Sequence, residues 1–314
     1  MTIPSVPRRA AFVVLPLFAL AACAGPGPDP LEGVPAFAVE QPTISLIDAG
    51  DDPRELTFDV GELEQAETSV AVGRGFAQQV VAAEDVEPQA PADASAEAVT
   101  LPLGVSAGEA PAPGADEEPA QRLVHLTVGA PEGPAEDIGS AEGFQMSWRA
   151  AANGAASTLR LLAPEQSTQQ ARQEVESALL TLLATNVVFP EQPVGVGGSW
   201  SVEARVTGAD AMQRTTTYTV AAIEGDRVTL DVDVAERPSR ESVSIDNEIA
   251  GELDGERLAV ESAETTAQGR IEVEAMLPIP VAGKIDTTTR VVYAGPDPVR
   301  RVVQDITTTL EYGT

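Results

Sequence analysis

Residues 144–162 read FQMSWRAAANGAASTLRLL, and residues 167–186 read STQQARQEVESALLTLLATN. In the first stretch Phe144, Met146 and Trp148 alternate with Gln145 and Ser147. That period puts one strand face on a core and the other in water. Asn153-Gly154 supplies the positive-φ pair of a tight hairpin, and Ser157 to Leu162 returns as the second strand. In the second stretch the pattern turns helical. Ala171, Val175, Ala178, Leu179, Leu182 and Leu183 fall on one stripe, with Gln169, Gln173 and Glu176 opposite. Ser167 with Gln170 predicts a capping box, Asn186 a stop, and Pro190 bars continuation.

Strand signals extend outward on both sides. Leu56, Phe58 and Val60, then Val70 and Val72, then Leu123 to Val128 precede the hairpin. After the helix, Trp200, Val202, Ala204 and Val206 alternate with polar residues. A second hairpin turns at Gly225-Asp226, and Ile271 to Val273, Ile285 to Tyr293 and Val302 to Tyr312 add further strands. The fold class predicted is α+β, mostly β: a curved antiparallel sheet, half-barrel-like, with one main amphipathic helix packed across it. Residues 34–314 read as a single β-rich domain. Within it, Glu84 to Ala120 is rich in Pro, Ala and acids and predicts a disordered acidic insertion. Ala130 to Ala141 reads as a second, shorter loop.

The N-terminus carries an address. Arg8 and Arg9 precede a short apolar run, Ala10 to Ala19, of secretory rather than membrane-spanning length. Leu20-Ala21-Ala22-Cys23 then resembles the lipobox of bacterial lipoproteins. That resemblance implies a signal peptide over residues 1–22, cleavage before Cys23, and a diacylglyceryl group on its thiol. Two acyl chains suffice for stable anchoring. Residues 23–33, with Gly25-Pro26-Gly27-Pro28-Asp29-Pro30, read as an extended Gly/Pro tether. Ala24 is not the Asp that would signal retention in an inner membrane, so an outer membrane is open if the cell has two.

Composition excludes several classes. The chain has 314 residues, with 49 acids against 19 bases, a formal charge of −30, one His and one Cys. A single Cys forbids an internal disulfide and any Cys-rich zinc site. The acidic balance argues against a nucleic-acid partner. No cofactor motif is present.

The remaining chemical signals are thin. Gly104-Val105-Ser106-Ala107-Gly108 fits G-x-S-x-G, but that elbow needs a helix directly after, and Pro111 and Pro113 follow instead. His125 sits within a strand pattern. Asp231 and Asp233 share a solvated strand face, and Asp51-Asp52 and Asp246/Glu248 match no calcium loop, so no metal site is predicted. Leu277-Pro278-Ile279-Pro280 reads as a crossover between strands or an apolar lip.

Residues 140–314 resemble an uncharacterised family of bacterial surface lipoproteins, a domain of unknown function. The likeness rests on Phe189-Pro190-Glu191-Gln192-Pro193-Val194-Gly195-Val196-Gly197-Gly198-Ser199-Trp200, on the hairpin at Gly225-Asp226, and on Gly269 to Thr289. It implies location and architecture, not activity. More distantly, a curved sheet with a helix across it resembles half-barrel lipoproteins that carry lipids. The expectation is therefore a lipid-anchored, extracytoplasmic, non-enzymatic binding or interaction module. Its partner would be an apolar ligand between helix and sheet, at Trp148, Val175, Leu179, Leu182 and Trp200, or another envelope protein. A large cavity among those residues would favour the ligand; a filled core would favour the protein partner. The alternatives are a passive structural surface protein and a hydrolase using His125.

Overall fold

The computed structural model describes residues 31, 33–114, 116–206, 212–244 and 257–313. Cys23 and all but Leu31 and Gly33 of the tether lie outside them. The first half runs β1 (Phe37–Ala38), β2 (Thr43–Asp48), β3 (Asp51–Arg54), β4 (Leu63–Ala82), β5 (Glu97–Glu109), β6 (Arg122–Val128), β7 (Gln145–Ala150) and β8 (Ala156–Leu162). Helix α1 spans Gln169–Ala184. There follow β9 (Val194–Val196), β10 (Ser199–Val206), β11 (Met212–Glu224), β12 (Arg227–Pro238), β13 (Ser242–Ser244), β14 (Arg257–Glu274), β15 (Ala282–Ala294) and β16 (Arg300–Tyr312).

Fourteen strands form one antiparallel sheet in the order β1-β8-β7-β6-β5-β4-β16-β15-β14-β12-β11-β10-β2, with β13 beside β14. The sheet is strongly curved and does not close into a barrel. Its two edge strands, β1 and β2, are joined by residues 39–42 alone. So short a connection spans at most about 18 Å, which holds the opposite edges close together. Gln41 marks the crossing, its Nε2 donating to the Ala156 carbonyl on β8.

Period two decides what lines the interior. Val99, Leu101, Leu103, Val105 and Ala107 of β5 are buried, as are Leu230, Val232 and Val234 of β12. Helix α1 adds Ala171, Val175, Ala178, Leu179 and Leu182 to the same core. Thr168, not Ser167, caps the helix, its Oγ1 accepting from Ala171 N at 3.3 Å. Ser167 instead donates to Ser140 O, and Gln170 reaches forward to Glu174, so the expected capping box is absent. At the other end Asn186 Nδ2 donates to Pro278 O at 3.0 Å. Residues 277–280 lie in the hairpin connection between the adjacent antiparallel strands β14 and β15, not in a crossover, and Ile279 plugs into the core.

The segment expected to be disordered, Glu84 to Ala120, is largely built in. It contains all of β5, a central strand. Residues 86–96 lie over the outer face of the sheet, where Arg290 Nη1 donates to Glu87 O and Thr266 Oγ1 to Ala90 O, each at 2.9 Å. The acidic arm after β5 is clamped by two arginines. Arg149 donates to Pro111 O at 2.6 Å and Glu118 O at 3.0 Å, and Glu117 bridges Arg149 and Arg160 at 3.3 and 2.7 Å. The acids that suggest a solvated loop are thus partly neutralised from the neighbouring hairpin.

Strand length is uneven. β4 has 20 residues and β14 has 18, whereas β6 and β8 have 7 and β7 has 6. The last β4–β5 pair is Arg74 with Glu97, while β16 accompanies β4 to its end. A tongue of long strands therefore runs past the short side. A second apolar cluster, Met212, Leu258, Val291 and Tyr293, packs within it.

Candidate functional site

The helix–sheet interface was the expected binding groove, and it is solid. Trp148 is 2 % exposed, Val175, Leu179 and Trp200 are 0 %, and Leu182 is 1 %. Trp200 Nε1 donates to Val188 O at 2.9 Å, which satisfies its one polar atom. Its ring stacks on Tyr218 with centroids 5.3 Å apart and meets Phe189 at 6.0 Å; Phe189 in turn meets Phe58 at 5.2 Å. Arg122 lies over Phe58 at 5.3 Å and closes that end of the row. Burial lowers the Arg122 pKa, and Asp59 partly offsets this. These side chains are core, held by one another.

Next to them on the concave face lies a polar cluster that the strand pattern alone did not reveal. Register sets Arg214 of β11 opposite Glu236 of β12, and Thr265 of β14 opposite Thr289 of β15. Arg214 Nε donates to Glu236 Oε1 at 2.7 Å, and Thr289 Oγ1 donates to Glu236 Oε2 at 2.9 Å. Thr265 Oγ1 accepts from the Glu236 amide at 2.9 Å. Both carboxylate oxygens are occupied, as a buried charge requires. A cavity of about 10 Å³ touches Thr185, Arg214, Thr216, Tyr218 and Thr287, room for roughly one water. Burial raises the phenol pKa of Tyr218, reinforced by Tyr312, and burial likewise raises that of Tyr312. Both stay protonated at neutral pH.

The hydrolase elements fall on the outer face. Gly104, Ser106 and Gly108 occupy the regular β5–β6 ladder, so there is no strand–turn–helix to present Ser106. The register does bring together what the sequence separates: His125 stands directly opposite Ser106 on one side and Ser147 on the other. Asp231, from the acidic strand face, accepts from Arg270 Nε at 2.6 Å, and this hydrogen bond holds its pKa below the usual value. Among the described residues no group of three or more His, Cys, Asp or Glu is placed to hold a metal ion.

An open groove of about 450 Å³ lies where the chain enters the body, lined by Gly33, Val34, Pro35, Leu161, Leu162, Ala163 and Arg172. None of the five expected ligand residues borders it. No helix among the described residues is long and apolar enough to cross a membrane. No protein-family model and no curated protein matches this chain, so the likeness over residues 140–314 rests on its motifs alone.

Proposed function

We propose that this chain is a lipid-anchored protein of the bacterial cell envelope that works through its outer surface as a non-enzymatic interaction module. The anchor is Cys23, the only thiol in the chain, behind the lipobox Leu20-Ala21-Ala22. The observation that carries the choice of partner is the filled helix–sheet core. An apolar ligand there would have to displace Leu179, Leu182 and the Trp200–Tyr218 stack, each fully or almost fully buried. Vacating such a core costs several kcal/mol per side chain. A protein partner needs no such vacancy.

Two measurements on the full-length chain from its native membranes test this. Mass spectrometry of the organic extract returns no non-covalent lipid near stoichiometric amounts, and crosslinking in intact cells captures a discrete protein species. A stoichiometric lipid overturns the reading in favour of a carrier. Crosslinking that captures nothing favours a passive surface protein.

A further inference from the structure

The tongue exposes a backbone edge. From Gly75 to Ala82, β4 is paired with β16 on one side, and among the described residues no strand lies on the other. The sequence there is Gly75-Phe76-Ala77-Gln78-Gln79-Val80-Val81-Ala82, without a charge or a proline between Arg74 and Glu84. Residues 76–80 are all exposed, with Phe76 at 63 % and Val80 at 58 %. Natural sheets blunt free edges with charges, prolines or bulges, because an unblunted edge pairs with another strand. This edge has none of those devices over eight residues, in a chain of formal charge −30.

The arrangement of its side chains indicates which strand fits. Phe76, Gln78 and Val80 point to one face, the concave one that Val70 and Val72 occupy further back. Two copies paired antiparallel about a two-fold axis normal to the sheet keep their concave faces on the same side. Placed at Gln78, that axis sets Phe76 opposite the partner's Val80, twice over, and Gln78 opposite the partner's Gln78. An aromatic and a β-branched residue make a favourable cross-strand pair. Self-pairing also sets each residue near its own kind, so a charged edge would repel itself; this window avoids that.

We propose that Gly75–Ala82 is a dimerisation edge, pairing antiparallel with a second copy of this chain about Gln78. This takes the interaction reading above and names one partner, the chain itself. It does not depend on the lipid anchor. The large negative charge of each copy opposes association over distance, so the dimer tightens as salt screens that repulsion.

The test uses the full-length chain in neutral detergent. Sedimentation gives a dimer whose dissociation constant falls between about 0.05 and 0.5 M NaCl. Gln78→Lys returns it to monomer. At low salt and high dilution, where both chains are monomers, its melting temperature stays within about 2 °C of the parent, since residue 78 is exposed and gives up only one surface hydrogen bond, from Gln304. In a Cys23→Ser background, Gln78→Cys forms an oxidant-driven disulfide dimer, because the axis brings the two Cβ atoms within about 5.5 Å. Phe76→Cys alone does not, but Phe76→Cys mixed with Val80→Cys does. A chain that stays monomeric at micromolar concentration and high salt overturns the proposal. So does a dimer that survives Gln78→Lys, or one that crosslinks through other positions and not 78. If the chain stays monomeric while cell crosslinking still captures a foreign protein, the homodimer fails and the interaction reading stands.

Discussion

Replacing Leu179 with alanine tests whether the interior is as solid as it looks. Leu179 is 0 % exposed and sits in the core that α1 shares with the sheet. The change removes the transfer free energy of the deleted atoms and leaves a cavity that a close-packed surround relaxes only partly. Leu→Ala at such sites costs about 2–5 kcal/mol. For a domain of this size each kcal/mol moves the melting temperature by roughly 2 °C, so a fall of about 4–10 °C is expected. Urea unfolding followed by tryptophan fluorescence reads the same loss as a lower midpoint with an unchanged slope. Leu180, next in sequence but 39 % exposed, is the control, and its alanine variant loses under about 1 kcal/mol. If Leu179→Ala costs no more than Leu180→Ala, the interior is loosely filled. An apolar ligand could then enter between helix and sheet.

Three further outcomes follow from the same structure. Glu117→Ala strands the buried Arg149 and releases the acidic arm; it costs about 3 kcal/mol, and residues 110–121 gain amide exchange while β5 does not. Arg214→Met alone leaves the buried Glu236 carboxylate without its cation, held only by Thr289, and costs about 3–5 kcal/mol, whereas Arg214→Met with Glu236→Leu recovers most of that in a double-mutant cycle. Tyr218 and Tyr312 have folded pKa values raised above the ordinary 10. The folded state therefore holds protons that the unfolded chain releases, so their contribution is complete below pH 10 and is lost as pH climbs past it. Phenolate absorbance from these two residues appears only together with alkaline unfolding.

The mostly β architecture with one helix was legible because its signals are local. Period two in Phe144–Trp148, Asn153-Gly154 at the turn and the stripe Ala171–Leu183 each specify their own element. Two features were not legible, for physical reasons. In the acidic segment, Val99, Leu101, Leu103, Val105 and Ala107 alternate as any strand does, yet prolines and acids around them read as solvated loop. What orders the flanks, Arg149, Arg160, Thr266 and Arg290, comes from distant strands. The Arg214–Glu236 pair was hidden by register. Counting back from Glu224 opposite Arg227 sets Arg214 against Arg237, and the irregularity between Val220 and Ala222 shifts it by one to Glu236. A bulge of that kind leaves no composition signal. The same non-local logic places His125 beside Ser106 and Ser147, which only pairing shows.

The envelope assignment stands or falls on one atom, the sulfur of Cys23. Purifying the full-length chain from its native membrane and measuring the mass of its N-terminal peptide tests it directly. The expected mature chain begins at Cys23 and carries a diacylglyceryl group, and Cys23→Ser leaves the protein uncleaved and unacylated. A mature N-terminus elsewhere, or Cys23 retained as a free thiol, would contradict it.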